Sequence, residues 1–182
     1  MSSLKRGREP NREESAFSRS FHVARQYAQR GVRSIHDVRA LLDRRGVPPE
    51  TATRVVLECR ARGMLDDAAC ARLWGEHWAR RGYAWAAIRA KLFLKGLDEP
   101  SIRHAASMLG GATGDVARAR LLAVQLARRS RRSPGSSDAA SRMPAGRRGE
   151  RARLARRLAA RGFDSDVIER VVSERFDPIP AE

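Results

Sequence analysis

A chain of 182 residues with 37 Lys and Arg against 21 Asp and Glu carries a formal charge of +16. Charge of that size repels itself in a compact state unless a polyanion or an acidic surface relieves it, so nucleic acid or a nucleoprotein is the expected partner. No stretch approaches the ~20 apolar residues of a membrane span. The polar start, Met1 to Asn11, lacks the apolar segment of a secretory signal.

All but three of the basic residues are Arg. GC-rich coding explains Arg in place of Lys, but it does not create a net excess of positive charge. Apolar residues at 42% suffice for a core, and aromatics at 5% mean that it is mostly Leu, Val, Ile and Ala. Cys59 and Cys70 lack disulfide or zinc spacing, which predicts free thiols in a reducing compartment. A cytoplasmic monomer is expected.

In chain order, residues 1–19 are charged and weakly apolar, and disorder is expected there. Residues 20–63 read as three helices. The first is about Phe21 to Arg30, the second is capped by Ser34 and closed by Arg45-Gly46, and the third opens at Pro48-Pro49. Residues 64–110 repeat the plan. A helix from about Asp67 to Arg81 carries Leu73, Trp74 and Trp78 as its apolar positions. The next has Trp85, Ile88 and Leu92 on its buried side and closes at Lys95-Gly96. The third opens at Asp98 and Pro100 and carries Ile102, Ala105, Ala106 and Leu109. Residues 111–176 begin with Asp115 to Arg129, carrying Val116, Leu121, Leu122 and Leu126. A flexible Ser/Gly/Pro/Arg linker is expected at 130–149, then a helix closed by Arg161-Gly162 and one opened by Asp164 and Ser165. Residues 177–182 are a tail.

The plan rests on an internal repeat. Val38 to Val56, Ile88 to Ala106 and Leu154 to Val172 align without gaps over 19 residues. Apolar positions coincide at Val38, Ile88 and Leu154, at Leu42, Leu92 and Leu158, and at Val55, Ala105 and Val171. Gly46, Gly96 and Gly162 fall in register, each followed by an apolar residue, Val47, Leu97 or Phe163. Apolar residues four apart stripe one helix face, and a basic residue then Gly closes it. No window alternates with period two. The expected fold class is therefore all-α, as three tandem three-helix repeats that stack because units of ~40 residues are marginal alone.

Catalytic signatures are missing: no GxxxxGK(S/T), no HExxH, no GxSxG. His22, His36, His77 and His104 are scattered. Asp66-Asp67 directly precedes a helix, where a carboxylate satisfies orphan backbone N–H groups, so capping is expected rather than metal binding. No catalytic, cofactor or metal residue is assigned, and no enzyme is expected.

Basic residues at helix ends, Arg30, Arg45, Arg62, Arg81, Lys95 and Arg161, have a local reason in the helix dipole. Their clustering does not. Arg80, Arg81, Arg89, Lys91 and Lys95, together with Arg147, Arg148, Arg153 and Arg157, are the candidate binding residues. Arg80, Arg89 and Lys91 are expected on the solvent side, and the planar guanidinium fork suits phosphate. A merely solvated face is the alternative.

The run Gly63-Met64-Leu65-Asp66-Asp67, Ala79-Arg80-Arg81-Gly82-Tyr83, Ile88-Arg89, Leu92 and Lys95-Gly96-Leu97 resembles the middle repeat of the RecX family. Ala160-Arg161-Gly162-Phe163-Asp164, with Val167 and Ile168, is similar to that family's ending. Cys70, Trp74 and Trp78 stand where the family often has Phe and Tyr, and the linker is longer. Coverage runs from about Phe21 to Val172. The resemblance implies an elongated, curved array of three units that binds the RecA recombinase filament on single-stranded DNA, double-stranded DNA being the second candidate. It implies lowered ATP hydrolysis, strand exchange and coprotease activity, within homologous recombination, DNA repair and the SOS response. The alternative is a helix-turn-helix protein acting on DNA directly. A nuclease would need an acidic cluster beyond Asp66-Asp67.

Overall fold

A computed structural model describes residues 12–132 and 144–177, all of them helix and turn. The helices are α1 (Arg12–Ala28), α2 (Ile35–Arg44), α3 (Pro49–Ala61), α4 (Asp67–Arg80), α5 (Trp85–Leu94), α6 (Glu99–Leu109), α7 (Asp115–Arg132), α8 (Pro144–Ala159) and α9 (Ser165–Phe176). A short 3-10 turn, Ala112–Gly114, precedes α7. Among the described residues no helix is long and apolar enough to cross a membrane.

Local chemistry sets the helix ends. The Ser34 hydroxyl accepts the Asp37 N–H at 3.0 Å while the Asp37 carboxylate accepts the Ser34 N–H at 3.2 Å, a reciprocal cap that starts α2. Asp98 accepts the Ser101 N–H at 3.0 Å and starts α6. At the other end, Leu97 N–H donates to Leu92 C=O at 3.3 Å, which requires the chain to reverse through Gly96 at φ +70°. A side chain there would meet the following carbonyl, so Gly is the residue that fits. The bonds from Val47 to Leu42 and from Phe163 to Leu158 repeat the closure for α2 and α8.

Packing follows the repeat. All nine aligned apolar positions are buried, none more than 7% exposed. Each such side chain contributes roughly 1.5–3 kcal/mol by leaving water. The chain divides into two compact units between Cys70 and Ala71, within α4. In the first, α1, α2 and α3 enclose Ala24, Val38, Leu42, Val55, Val56, Cys59 and Leu65. In the second, Ala84, Ala119, Leu122, Ala123, Leu154, Leu158, Phe163, Val171 and Val172 form one cluster. Arg120 of α7 grips Glu174 of α9 with two N–H donors at 2.6 and 2.8 Å. That hydrogen bonding holds the Glu174 carboxyl down at about 2. Its stabilising effect is therefore present above the ordinary carboxylate range and is lost as pH falls through about 2.

Three expected boundaries move. The segment 1–19 was expected to be disordered, yet α1 already begins at Arg12. Phe17 and Phe21 stack with ring centroids 6.0 Å apart, and the Arg54 and Arg62 guanidiniums lie 4.9 and 4.6 Å from their centroids. These contacts supply burial that the segment's composition does not advertise; residues 1–11 lie outside the described residues. The expected linker 130–149 overlaps helix at both ends, because α7 continues to Arg132 and α8 starts at Pro144; residues 133–143 lie outside the described residues. Of the expected tail, Asp177 takes the carboxylate role against Arg151, and 178–182 are outside.

Asp66 and Asp67 divide their labour. Asp66 accepts the Ala69 N–H at 2.8 Å and caps α4, whereas Asp67 reaches across to accept the Ile35 N–H, also at 2.8 Å, at the start of α2. The arrangement recurs in the second unit, where Asp115 at the start of α7 accepts the Trp85 N–H at 2.8 Å. Each carboxylate thus satisfies an orphan N–H of an earlier helix. Cys59 and Cys70 are free and buried. Burial first, then Asp37, Asp67 and Asp66, pushes the Cys70 thiol up to about 12, and burial raises Cys59 as well. Both stay protonated where an unfolded thiol, at 9.0, would ionise, so they lower stability as pH rises past that value.

Candidate nucleoprotein interface

Trp74 and Trp78, four apart on α4, project on one face about 40° from each other. Their rings stack at 5.5 Å between centroids with 26° between planes, and His77 meets Trp74 edge-on at 5.7 Å. Past the Arg81-Gly82 turn, Tyr83 N–H donates back to Trp78 C=O at 3.2 Å, which brings the Tyr83 ring to the same end of α4. Gly82 is closely packed there: a Cβ would lie 3.0 Å from the Leu122 side chain.

Onto these rings α5 lays two ammoniums, also four residues apart. Lys91 Nζ is 4.8 Å from the Tyr83 centroid and 5.9 Å from that of Trp78, while Lys95 Nζ is 4.3 Å from Trp74. From the end of α8, the Arg161 guanidinium lies 4.4 Å over the same Tyr83 ring and donates to Arg81 C=O. Ala84 N–H returns a bond to Arg161 C=O at 3.0 Å. Cations and rings thus run in series from Arg161 through Tyr83 and Lys91 to the stacked pair Trp78 and Trp74, with Lys95 over the last. A cation over an exposed ring is worth about 0.5–1 kcal/mol. A nucleic-acid base stacked on such a ring is worth about 1–3 kcal/mol. These cations are therefore held loosely enough for a stacking ligand to displace them.

The sequence candidates do not form one patch. Arg80 and Arg72 share Glu76, at 3.4 and 2.8 Å, on the side of α4 away from the Trp pair. Arg89 pairs with Glu99 of α6 at 3.1 Å and points away from Lys91, two residues along the same helix. Arg80 and Arg89 are solvent-exposed as expected, but their charge is partly answered by those carboxylates. Lys91 is half-buried against its rings rather than free in solvent. Arg81 is exposed and offers its carbonyl to Arg161. On α8, Arg147 caps α9 by donating to Phe176 C=O at 2.9 Å, beside Arg151 bound to Asp177. Arg148, Arg153 and Arg157 stand exposed. Arg153 and Arg157, four apart on α8, stand about 6 Å apart along its axis, and Arg161 follows in the turn after the helix, over Tyr83.

The sequence offers Trp74 and Trp78 only as apolar positions of a helix, and Lys95 as both a helix-end cation and a candidate binding residue; the rings beneath Lys95 and Arg161 are not legible there. The available signal was that all three Trp of the chain, Trp74, Trp78 and Trp85, fall within twelve residues. Trp74 is 38% exposed, and its sequence neighbour Leu73 and, on α5, Phe93 and Leu94 are more so. Among the described residues no group of three or more His, Cys, Asp or Glu is placed to hold a metal.

Fold and face together define a strongly basic, all-helical protein that displays cations on aromatic rings. Regulatory protein RecX of Stenotrophomonas maltophilia is 34% identical over 137 residues, 75% of this chain and 74% of that protein. Regulatory protein RecX of Thermobifida fusca is 28% identical over 165 residues, 90% and 82% of the two chains. The chain belongs to the RecX family of regulatory proteins. The crystal structure of RecX from Lactobacillus salivarius shares the fold, with a TM-score of 0.69 at 17% identity over 91% of this chain and 99% of that one. A second crystal structure of a regulatory protein RecX gives a TM-score of 0.67 at 22% identity over 92% and 80%. No protein-family model matches the chain.

Proposed function

We propose that the protein binds the RecA filament on single-stranded DNA and lowers its ATPase, strand exchange and coprotease activities. The observation that carries this reading is the line of cations from Arg153 and Arg157 to Arg161, Lys91 and Lys95, in a family of regulatory proteins. Its +16 charge favours a polyanionic partner, and its basic surface would sit against filament phosphates and adjacent recombinase subunits. Occupying that position would oppose the subunit motions that hydrolysis and strand exchange require. The three units, residues 20–63, 64–110 and 111–176, would follow the filament together, as a monomer in the cytoplasm.

Co-sedimentation with recombinase-coated single-stranded DNA at increasing salt tests it. Binding should weaken steeply, with a log–log slope of about −0.7 for each strand phosphate contacted. Lys91→Glu with Lys95→Glu should bind the filament on the order of tenfold more weakly and flatten that slope by about 1.4, with helicity unchanged. Salt-insensitive binding by the wild type, or an unaltered slope in the double variant, contradicts the proposed surface.

A further inference from the structure

Trp74 has a geometry that filament binding alone does not call for. It is 38% exposed, stacked on Trp78, met edge-on by His77 and overlain by a flexible side chain, Lys95. We infer that Trp74 is a stacking platform for one unpaired base of a single nucleic-acid strand, and that Lys95 is the placeholder a base displaces. The cation–ring contact is the weaker of the two, so the base takes the ring. The released ammonium stays on the same surface, free to meet a phosphate of the strand it admitted. Lys91 and Arg161 already stand over Tyr83 at 4.8 and 4.4 Å, so two positive charges share one ring, and Lys91 also lies 5.9 Å from Trp78, the ring that backs the platform. Along α8, Arg157 and Arg153 extend the charge at about 6 Å per step, a spacing a single strand's backbone can follow.

The preference that results is for unpaired over paired nucleic acid, because a duplex keeps its bases stacked on each other. Base identity matters little, since every base has a π face. The inference rests on the reading above only in taking nucleic acid as the polyanion. It assigns the ligand chemistry to one residue and needs no recombinase.

Fluorescence anisotropy with a labelled single-stranded oligo(dT) and the full chain tests it, with a duplex of equal length as comparison. Wild-type protein should bind the single strand more tightly than the duplex. Trp74→Leu keeps an apolar side chain against Trp78 but presents no π face; it should bind on the order of tenfold more weakly. Trp74→Phe restores a ring and should bind within about twofold of wild type, with the same circular dichroism. Wild-type affinity in the Leu variant overturns the inference, as does a Phe variant no better than Leu, or a wild type that favours duplex or binds neither. A protein that inhibits the recombinase yet gives one of those results keeps the regulatory reading and loses this site.

Discussion

Replacing Arg118 with Met should lower the unfolding free energy by about 3–5 kcal/mol, the usual cost of leaving one partner of a buried ion pair alone. Arg118 is 8% exposed and Asp115 6%. The guanidinium donates to the Asp115 carboxylate at 2.6 and 3.0 Å, to Leu109 C=O at 2.8 Å and to Gly111 C=O. It therefore closes the end of α6, spans the Gly110-Gly111 turn and neutralises the carboxylate that caps α5 through Trp85. Met keeps the volume and removes every donor. Lys should rescue little, because one ammonium cannot reproduce a planar fork that meets three acceptors. Urea denaturation followed by far-UV circular dichroism measures the loss. A change below about 1 kcal/mol, the range of an exposed pair, would mean the network is not the buried tie described.

The second large effect separates two glycines that the repeat makes equivalent. Gly46 and Gly162 both reverse the chain, at φ +68° and +83°. A Cβ on Gly46 meets nothing within 4 Å, whereas on Gly162 it would lie 2.9 Å from the Ala87 Cβ, with Ala87 backbone atoms at 3.7 and 3.8 Å. Gly46→Ala should therefore cost only the left-handed conformation, about 1–2 kcal/mol. Gly162→Ala adds an overpacking penalty of about 1–3 kcal/mol, since neither helix can withdraw without breaking the Ala84 to Arg161 bond. Equal losses in the two variants would show that the close approach of α5 to the Gly162 turn is wrongly placed.

What could be read in the sequence was whatever repeats locally. The aligned apolar positions, the glycine closures and the Ser34 and Asp98 caps depend on neighbours within one helical turn or one tight turn, and each stands in the structure as its spacing implies. The start of α1 was hidden because the partners of Phe17 and Phe21 are Arg54 on α3 and Arg62 at its C-terminal cap, distant in sequence. The binding face was hidden for a related reason. Arg80, Arg89 and Lys91 are close in sequence, but a helix turns about 100° per residue, so closeness does not confer a shared face. Lys95 is a candidate in the sequence and Arg161 has a local explanation as a helix-end cation; only the structure reveals the rings beneath both. Asp67 likewise passes for a helix-start residue until its bond to Ile35 is seen.

The most direct measurement is the single-stranded-DNA-dependent ATPase of a RecA recombinase, titrated with this protein at low and at moderate salt. The account predicts inhibition that deepens with added protein, weakens as salt rises, and is reduced in the Lys91→Glu, Lys95→Glu variant. An ATPase rate that stays flat across the titration at low salt, with the protein folded and in excess over recombinase, would contradict it.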